Sequence, residues 1–248
     1  MTILSILIIL AMLGFILFDT RRIKAGYQVH LRHIPALDRL PHLMSQAVES
    51  GQQIHISLGT GGLTDRTTAS TLAGLAVLDH LAERGCAAGA PPLVTVADPL
   101  VLPAAQDSLR QVYYRHGRLK EYRGTQVEMV APQPTIYALG ASTRLDQKKT
   151  AANLMFGSFG PEALLLAEPG AQSGIPQLVG TDDPQAMALL MAAADDSIIG
   201  EELYAVPAYL NRKPAHLASL RAQDMLRIGV VALILITGIL ALLEVQLF

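Results

Sequence analysis

The stretch "HISLGTGGLTD", His55 to Asp65, runs from a strand pattern into a glycine-rich turn that precedes a helix. Nucleotide-binding proteins hold a phosphate at such a turn, because amides at a helix N-terminus point at the anion and glycine lets the backbone approach closely. The same turn can also be a tight bend in which a glycine adopts positive φ. The elements around the turn predict the fold, and its residues separate these two interpretations.

Apolar periodicity on both sides of the turn predicts alternating strands and helices. The predicted strands cover residues 53–58, 93–97, 126–131, 153–156 and 177–180. The predicted helices cover 37–48, 67–84, 103–116, 135–147, 162–168, 184–194 and 216–227, and another runs from Ser197 until Pro207 breaks it. Strand-then-helix order predicts parallel strands with helices on both faces. We therefore expect an α/β fold with a Rossmann-like, mostly parallel sheet.

Turn and cap residues follow the predicted strands. Proline, which suits the first turn of a helix, recurs in Asp98-Pro99, Gln133-Pro134, Gly160-Pro161 and Asp183-Pro184. Loops after parallel strands gather at one edge of the sheet, the usual position of a ligand. The ligand-binding candidates at this edge are Gly59, Thr60, Gly61, Gly62, Asp98, Thr181 and Asp182.

The turn from Gly59 to Gly62 lacks the parts of a complete phosphate loop. A P-loop ends in Gly-Lys-Ser/Thr, whereas no lysine occurs between Lys24 and Lys120. The dinucleotide fingerprint needs a third glycine, but Leu63-Thr64-Asp65 follows the turn. The sequence therefore favours a bend, with phosphate binding or contact with a neighbouring subunit as alternatives.

Apolar runs at residues 3–18 and 228–243 flank this region of the 248-residue chain. A helix of about 20 residues crosses the hydrocarbon core of a bilayer. The first run has neither preceding basic residues nor an Ala-x-Ala cleavage site, so we expect a retained anchor and not a signal peptide. The predicted organisation is an N-terminal transmembrane anchor at 1–24, an α/β domain at 25–212, and a juxtamembrane and C-terminal transmembrane helix at 213–248.

Basic residues lie on the inner side of both runs: Arg21, Arg22, Lys24, Arg212, Lys213, Arg221 and Arg227. Lysine and arginine near membrane ends favour the cytoplasmic side. We expect a two-pass protein of the cell membrane, with the domain cytoplasmic, both termini outside and the lipid bilayer as a partner. The single cysteine, Cys86, excludes a disulfide within the chain and agrees with this location.

Two further segments carry candidate chemistry. The carboxylates Asp195, Asp196, Glu201 and Glu202 could bind a magnesium-like cation, or they could cap and stabilise the start of a helix. Residues 110–123 combine basic residues with three tyrosines, which suits single-stranded nucleic acid, a solvated helix end or a surface facing anionic lipid. With a net charge of −2, we expect no nucleic-acid partner.

No arrangement of residues argues for catalysis. Cys86 has no partner near it in sequence, and Ser173 is not in a Gly-x-Ser-x-Gly elbow. The seven histidines are scattered, and each suits packing or the surface better than the role of a base. The sequence indicates no catalytic residue and no cofactor, and it leaves enzymatic activity open.

A likeness to a known family lies in Ala97-Asp98-Pro99-Leu100-Val101, in residues 166–174 and 199–205, and in Gly180-Thr181-Asp182. These segments resemble a prokaryotic two-pass membrane-protein family described only as a domain of unknown function. The likeness extends from about Ile34 to Arg227 and implies a cytoplasmic α/β domain held by terminal anchors. It supplies no catalytic residue.

Alanine, glycine and serine crowd residues 69–82, 151–160 and 186–194, where they allow close packing. A closed homo-oligomer is the usual form of self-association. We therefore expect a structural or organisational protein that assembles with itself or with other membrane subunits. The alternative is a membrane protein that binds a nucleotide or phosphometabolite with the loops at the carboxyl edge of the sheet.

Overall fold

The computed structural model describes residues 2–145 and 149–242 of the chain. The chain divides into two compact units. Residues 33–210 form an α/β unit, and the second unit contains two long apolar helices, α1 (Thr2–Lys24) and α9 (Pro214–Leu242).

The α/β unit alternates strands and helices along the chain. Its strands are β1 (Gln53–Gly59), β2 (Leu93–Val96), β3 (Val127–Met129), β4 (Thr150–Ser158), β5 (Gln177–Thr181) and β6 (Asp196–Ile199). Its helices are α2 (Pro35–Ser50), α3 (Thr68–Ala88), α4 (Val101–Arg115), α5 (Pro134–Ser142), α6 (Leu164–Gln172), α7 (Pro184–Ala193) and α8 (Glu202–Asn211). Short 3-10 helices lie at Leu119–Glu121, Gly124–Gln126 and Pro161–Ala163.

The strands form one sheet in the order β3-β2-β1-β4-β5-β6, and each neighbouring pair is parallel. The predicted parallel α/β fold is therefore confirmed. This is the strand order of dinucleotide-binding domains, and the order reverses between β1 and β4. In register, His55 of β1 lies opposite Asn153 of β4, which lies opposite Gln177 of β5.

Helices cover both faces of the sheet, and each face has its own core. Aliphatic side chains such as Ile56, Leu154 and Leu178 pack against residues of α2, α3, α4 and α8 on the first face. On the second face, Met155 and Val179 pack with residues of α5, α6 and α7. The sheet thus has a layer of helices on each side, as expected when crossovers connect parallel strands.

A glycine lets α3 approach the centre of the sheet. A Cβ built on Gly74 would lie 2.3 Å from the carbonyl oxygen of Phe156 in β4. Any larger residue would push the helix away from the strand, because backbone atoms cannot move aside as a flexible side chain can. Gly74 therefore sets the distance between α3 and the strand at the middle of the sheet.

Helix ends confirm several of the predicted caps. Gly51 ends α2 with φ at +66°, and the amides of Gly51 and Gln52 donate to the carbonyls of Val48 and Ala47. The carboxylate of Asp183 accepts hydrogen bonds from the amides of Gln185 and Ala186 at the start of α7, each at 2.8 Å. Asp98 accepts in the same way from Leu100 and Val101 at the start of α4. These side chains satisfy amides that have no partner within their helices.

The prediction of a helix from Ser197 was wrong, because residues 196–199 form β6. Ile198 pairs with Gly180 of β5 and is fully buried, so sheet pairing and burial outweigh the local preference. The prediction that Pro207 breaks the following helix was also wrong, since α8 continues through this buried residue to Asn211. A proline in a helix removes one hydrogen bond, and here its ring packs in the core.

Two predicted helix ends also differ from the structure. The helix predicted to close at Gly85 continues to Ala88, where Gly89 caps it with φ at +81°. Gly85 lies inside the helix, where a side chain is excluded because a Cβ would be 2.5 Å from the carbonyl oxygen of Ala90. The helix predicted to reach residue 147 ends at Ser142, and residues 146–148 lie outside the described part of the chain.

In the second unit, α1 and α9 contact each other, and a buried ion pair joins them. The carboxylate of Asp19 is 1% exposed and lies 2.7 Å from the guanidinium of Arg221. The ring of Tyr27 lies 4.7 Å from the guanidinium of Arg22 and 4.9 Å from that of Arg221. Arg221 therefore takes part in both the ion pair with Asp19 and a cation–π contact with Tyr27.

Within the described residues, one helix is long and apolar enough to cross a membrane by length and composition, Pro214–Ile239. Helix α1 has 23 residues, and its apolar side chains include the exposed Leu13 and Phe18. The transmembrane role of α1, the two-pass topology and the orientation stay predictions.

Candidate functional site

The glycine turn lies at the carboxyl edge of the sheet, where the strand order reverses. Gly59 ends β1 with φ at +79°, and a Cβ there would lie 2.2 Å from the carbonyl oxygen of Ser158 in β4. The Thr60 amide donates to the same oxygen at 2.9 Å. The predicted bend with positive φ is confirmed at Gly59, since only glycine satisfies both constraints.

Gly61 is required for space, and neither Gly61 nor Gly62 has positive φ. A Cβ on Gly61 would lie 2.6 Å from Oγ1 of Thr71 and 2.8 Å from Oγ1 of Thr67. The Gly62 amide donates to Oγ1 of Thr67 at 2.9 Å. Both glycines are buried. The turn is thus packed against the first residues of α3, and the amides of Thr60 and Gly62 are engaged by the protein itself.

Two carboxylates flank this turn. Oδ2 of Asp65 and Oδ2 of Asp98 each lie 3.2 Å from the position that a Cβ on Gly62 would occupy. Hydrogen bonds from the hydroxyl and amide of Thr67 lower the pKa of Asp65, so this carboxylate stays ionised at neutral pH. A phosphate at the turn would meet negative charge, which opposes the binding of an anion.

The remaining ligand candidates, Thr181 and Asp182, lie at the same edge after β5. Oγ1 of Thr181 accepts from the amide of Phe159 at 3.3 Å. Asp182 accepts from the hydroxyl of Tyr204 at 2.8 Å, and that hydroxyl lies 3.2 Å from Oγ of Ser70 in α3. Burial raises the pKa of Tyr204, so the phenol stays protonated and donates. The structure places all seven candidates along one edge, and their binding of a ligand stays a prediction.

The four acidic candidates for a metal site are separated by β6. Asp195 accepts from the amide of Gln177 at 2.8 Å, and Asp196 pairs with Arg39 at 2.5 Å, both at the amino end of the strand. Glu201 and Glu202 follow its carboxyl end, about 13 Å away at about 3.3 Å per residue. Within residues 2–145 and 149–242, no three His, Cys, Asp or Glu side chains form a metal-binding group. The alternative that Asp196 caps a helix is wrong, because residues 196–199 form a strand.

The basic and aromatic segment is mostly engaged within the protein. Tyr113 is buried and lies edge-on to Tyr122 at 5.7 Å between ring centroids. Arg115 and His116 contact Glu83, and Arg118 contacts Glu121. Tyr114 is exposed. These rings and cations support the end of α4 and the loop after it.

Two cavities lie at the opposite, amino edge of the sheet. One is an apolar cleft of about 380 Å³ between α2 and α3, lined by Met44, Val48, Ile54 and Leu81 among others, with Glu49 and Arg84 as its charged residues. The other has a volume of about 220 Å³ and lies where β1, β2 and β4 begin. Its lining residues are Gln53, His55, Leu93, Thr143, Arg144, Lys149 and Thr150. We refer to it as the amino-edge cavity.

A row of buried polar side chains crosses the sheet at the floor of the amino-edge cavity. The Asn153 amide donates to Oε1 of Gln177 at 2.7 Å, so its Oδ1 accepts from Nδ1 of His55 at 2.8 Å. Nε2 of His55 then accepts from the hydroxyl of Thr95 at 3.0 Å. The Tyr137 hydroxyl extends the row and donates to the carbonyl of Thr95 at 3.0 Å. This pattern requires a neutral histidine with the proton on Nδ1.

The polar row was not predicted from the sequence, although His55, Thr95, Asn153 and Gln177 each lie next to apolar residues of a strand, and Tyr137 lies in α5. Burial lowers the pKa of His55 from 6.5 to about 4, with Arg144 adding to the shift. His55 is therefore neutral at physiological pH and has both nitrogens engaged. Its packing role agrees with the interpretation of the histidines given above.

We predict that His55 makes the protein less stable in acid. Between pH 6.5 and about 4, the unfolded chain binds a proton at this residue that the folded chain does not. The free energy of unfolding therefore falls as the pH falls through this range, by about 3 kcal/mol for this residue. Chemical denaturation of the full chain in mild detergent at pH 7 and pH 4 measures this loss.

His55→Gln removes the titration, so the variant should lose about 3 kcal/mol less than the wild type over the same range. His42→Gln changes an exposed histidine and should retain the wild-type loss. Equal losses in the wild type and His55→Gln would show that His55 does not carry the acid sensitivity.

No curated protein and no solved structure matches this chain. A family model does match it, over residues 1–248, and its description is "Domain of unknown function (DUF6754)". The resemblance to a domain of unknown function is thereby confirmed, while the prokaryotic two-pass character of that family stays a prediction. With a match over its whole length, the chain belongs to the DUF6754 family.

Proposed function

We propose that this chain is a membrane-tethered α/β protein of structural or organisational role, which assembles with further copies of itself. The contact surface would be the outer face of α5, α6 and α7, which we name the uncharged face. Its exposed large apolar residues are Ile136, Leu139, Leu165, Leu189 and Met191, each between 38% and 52% exposed.

The observation that carries the proposal is the distribution of charge between the two helix layers. Helices α2, α3 and α4 on the other face of the sheet each contain three residues of the Asp, Glu, Lys and Arg types. Helices α5, α6 and α7 together contain one, Glu168. Exposed apolar patches of this kind mark interaction sites on soluble domains.

A second copy of the chain suits this face chemically. Two uncharged faces can be buried against each other while removing few charges from water, with Glu168 the one charged residue of these helices, and removing charges is the main cost of burying polar surface. Small residues such as Ala188 and Ala192 are exposed between the larger ones and let helices approach closely. A two-fold axis would place each face on its copy.

Membrane tethering favours this association. Helix Pro214–Ile239 has the length and composition of a membrane span, and the apolar run at residues 3–18 would supply a second one. Copies held in one membrane share a plane and have a raised effective concentration. The arginines and lysines beside both runs favour a cytoplasmic domain with both termini outside. Other membrane subunits could occupy the same face in a mixed complex.

A second candidate function is the binding of a nucleotide or phosphometabolite at the carboxyl edge. The strand order favours it, because ligands of such sheets bind where the order reverses, and the turn from Gly59 to Gly62 lies there. The carboxylates of Asp65 and Asp98 beside Gly62 oppose it for an anionic group. The first candidate is therefore preferred.

We predict that the full chain in mild detergent has the mass of an oligomer by native mass spectrometry. Leu139→Glu or Met191→Glu should weaken association about a hundredfold, or by about 3 kcal/mol, because a charge would be buried in the contact. Both side chains are about half exposed, so the fold should survive, and circular dichroism checks this.

Leu72→Glu is the matched control, since Leu72 is equally exposed but lies on α3, in the other helix layer. It should leave the oligomer intact. A monomeric mass for the wild type, or equal dissociation by all three variants, would refute assembly through the uncharged face.

We predict that the domain faces the cytoplasm. Cys86 is buried and its burial raises the pKa of the thiol, so it reacts slowly and a new cysteine is needed as a probe. In intact cells, a membrane-impermeant maleimide should label Thr2→Cys but not Lys120→Cys, which lies on the exposed loop after α4. The reverse pattern would overturn the orientation.

The second candidate predicts a thermal shift with ligand. A nucleotide with magnesium at a hundred times its Kd would add about 2.7 kcal/mol to the free energy of unfolding. Gly61→Ala should abolish that shift, because a Cβ there collides with Thr67 and Thr71 inside the turn. No shift with any nucleotide would rule out nucleotide binding, and a shift that survives Gly61→Ala would place the ligand elsewhere.

A further inference from the structure

We propose that the amino-edge cavity binds a small oxyanion, such as free phosphate or the phosphate group of a phosphomonoester. The strands β1, β2 and β4 and the segment after α5 each contribute to its walls. The site is distinct from the glycine turn, which lies at the other end of the strands. It is also independent of assembly through the uncharged face.

The size of the cavity limits the ligand. Sites for whole cofactors and drug-sized molecules have volumes of about 300–1,000 Å³. The amino-edge cavity has a volume of about 220 Å³, which is too small for a nucleotide and large enough for one phosphate group. A phosphomonoester would therefore enter with its phosphate first and leave the rest of the molecule outside.

The charge of the lining selects an anion. Arg144 and Lys149 are cationic, and the other described lining residues are neutral, with His55 held uncharged by the polar row. Arg144 contacts Glu128 through one nitrogen, Nη2. A guanidinium has five N–H donors, so this contact engages only part of the group. Arginine and lysine are the usual protein groups that bind phosphate.

The hydroxyls of the lining do not supply the main donors. Thr143 donates to the carbonyl of Gly140 at 2.7 Å, and Thr150 donates to the carbonyl of Arg144 at 3.3 Å. Binding should therefore depend on the two cations. The positive charge of Arg144 acts on His55 at the floor of the cavity and contributes to the lowered pKa of that residue. An anion bound in the cavity would offset this positive charge.

Isothermal titration calorimetry of the full chain in mild detergent tests the proposal. Inorganic phosphate should bind saturably, whereas sodium chloride at matched ionic strength should not. Arg144→Gln and Lys149→Gln should each weaken binding about tenfold or more, because each removes a charged donor. Lys149→Arg should largely restore the affinity. Glycerol 3-phosphate in a parallel titration distinguishes a phosphomonoester site from one for the free ion only.

Two control variants sharpen the result. Glu128→Gln releases Arg144 from its carboxylate, so phosphate should bind as tightly as in the wild type or more tightly. Arg110→Gln removes a cation of α4 that does not line the cavity and should have no effect. The proposal is overturned if phosphate shows no saturable binding, or if Arg144→Gln and Lys149→Gln bind phosphate like the wild type.

Discussion

The α/β unit depends on how closely β1, β4 and α3 approach one another. Gly59 lets the end of β1 pass the Ser158 carbonyl, and Gly74 lets α3 pass the Phe156 carbonyl, in both cases at distances that exclude a Cβ. Because β1 and β4 are the strands where the sheet order reverses, their pairing joins the two halves of the sheet. Backbone atoms make these contacts, so repacking of side chains cannot replace the glycines.

The glycine turn and the amino-edge cavity, at opposite edges of the sheet, differ in charge. At the carboxyl edge, Asp65 and Asp98 flank the glycine turn, whereas at the amino edge Arg144 and Lys149 line a cavity over the polar row. Comparison with dinucleotide-binding sheets directs attention to the carboxyl edge. In this protein the cations Arg144 and Lys149 line a cavity at the other edge. Strand order alone does not identify a ligand, because function depends on the side chains that a fold presents.

The architecture followed from sequence patterns that act locally, such as the Asp183 cap and the glycine end of α2 at Gly51. Strand β6 was not predicted, since the stability of Asp196 to Ile199 as a strand comes from pairing with β5 and from the burial of Ile198 in the core. The polar row was also beyond sequence reasoning. Its strand members are brought together by the register of β1, β2, β4 and β5, and no local pattern encodes that register.

The ion pair between α1 and α9 also imposes an order on synthesis. Asp19 leaves the ribosome about 200 residues before Arg221, which corresponds to roughly 10–40 s at 5–20 residues per second. The whole α/β unit is translated in that interval, so its chain is complete before the two helices can pair. A chain interrupted before Arg221 leaves the Asp19 carboxylate without its cation. The contact thus forms only in chains that extend to Arg221.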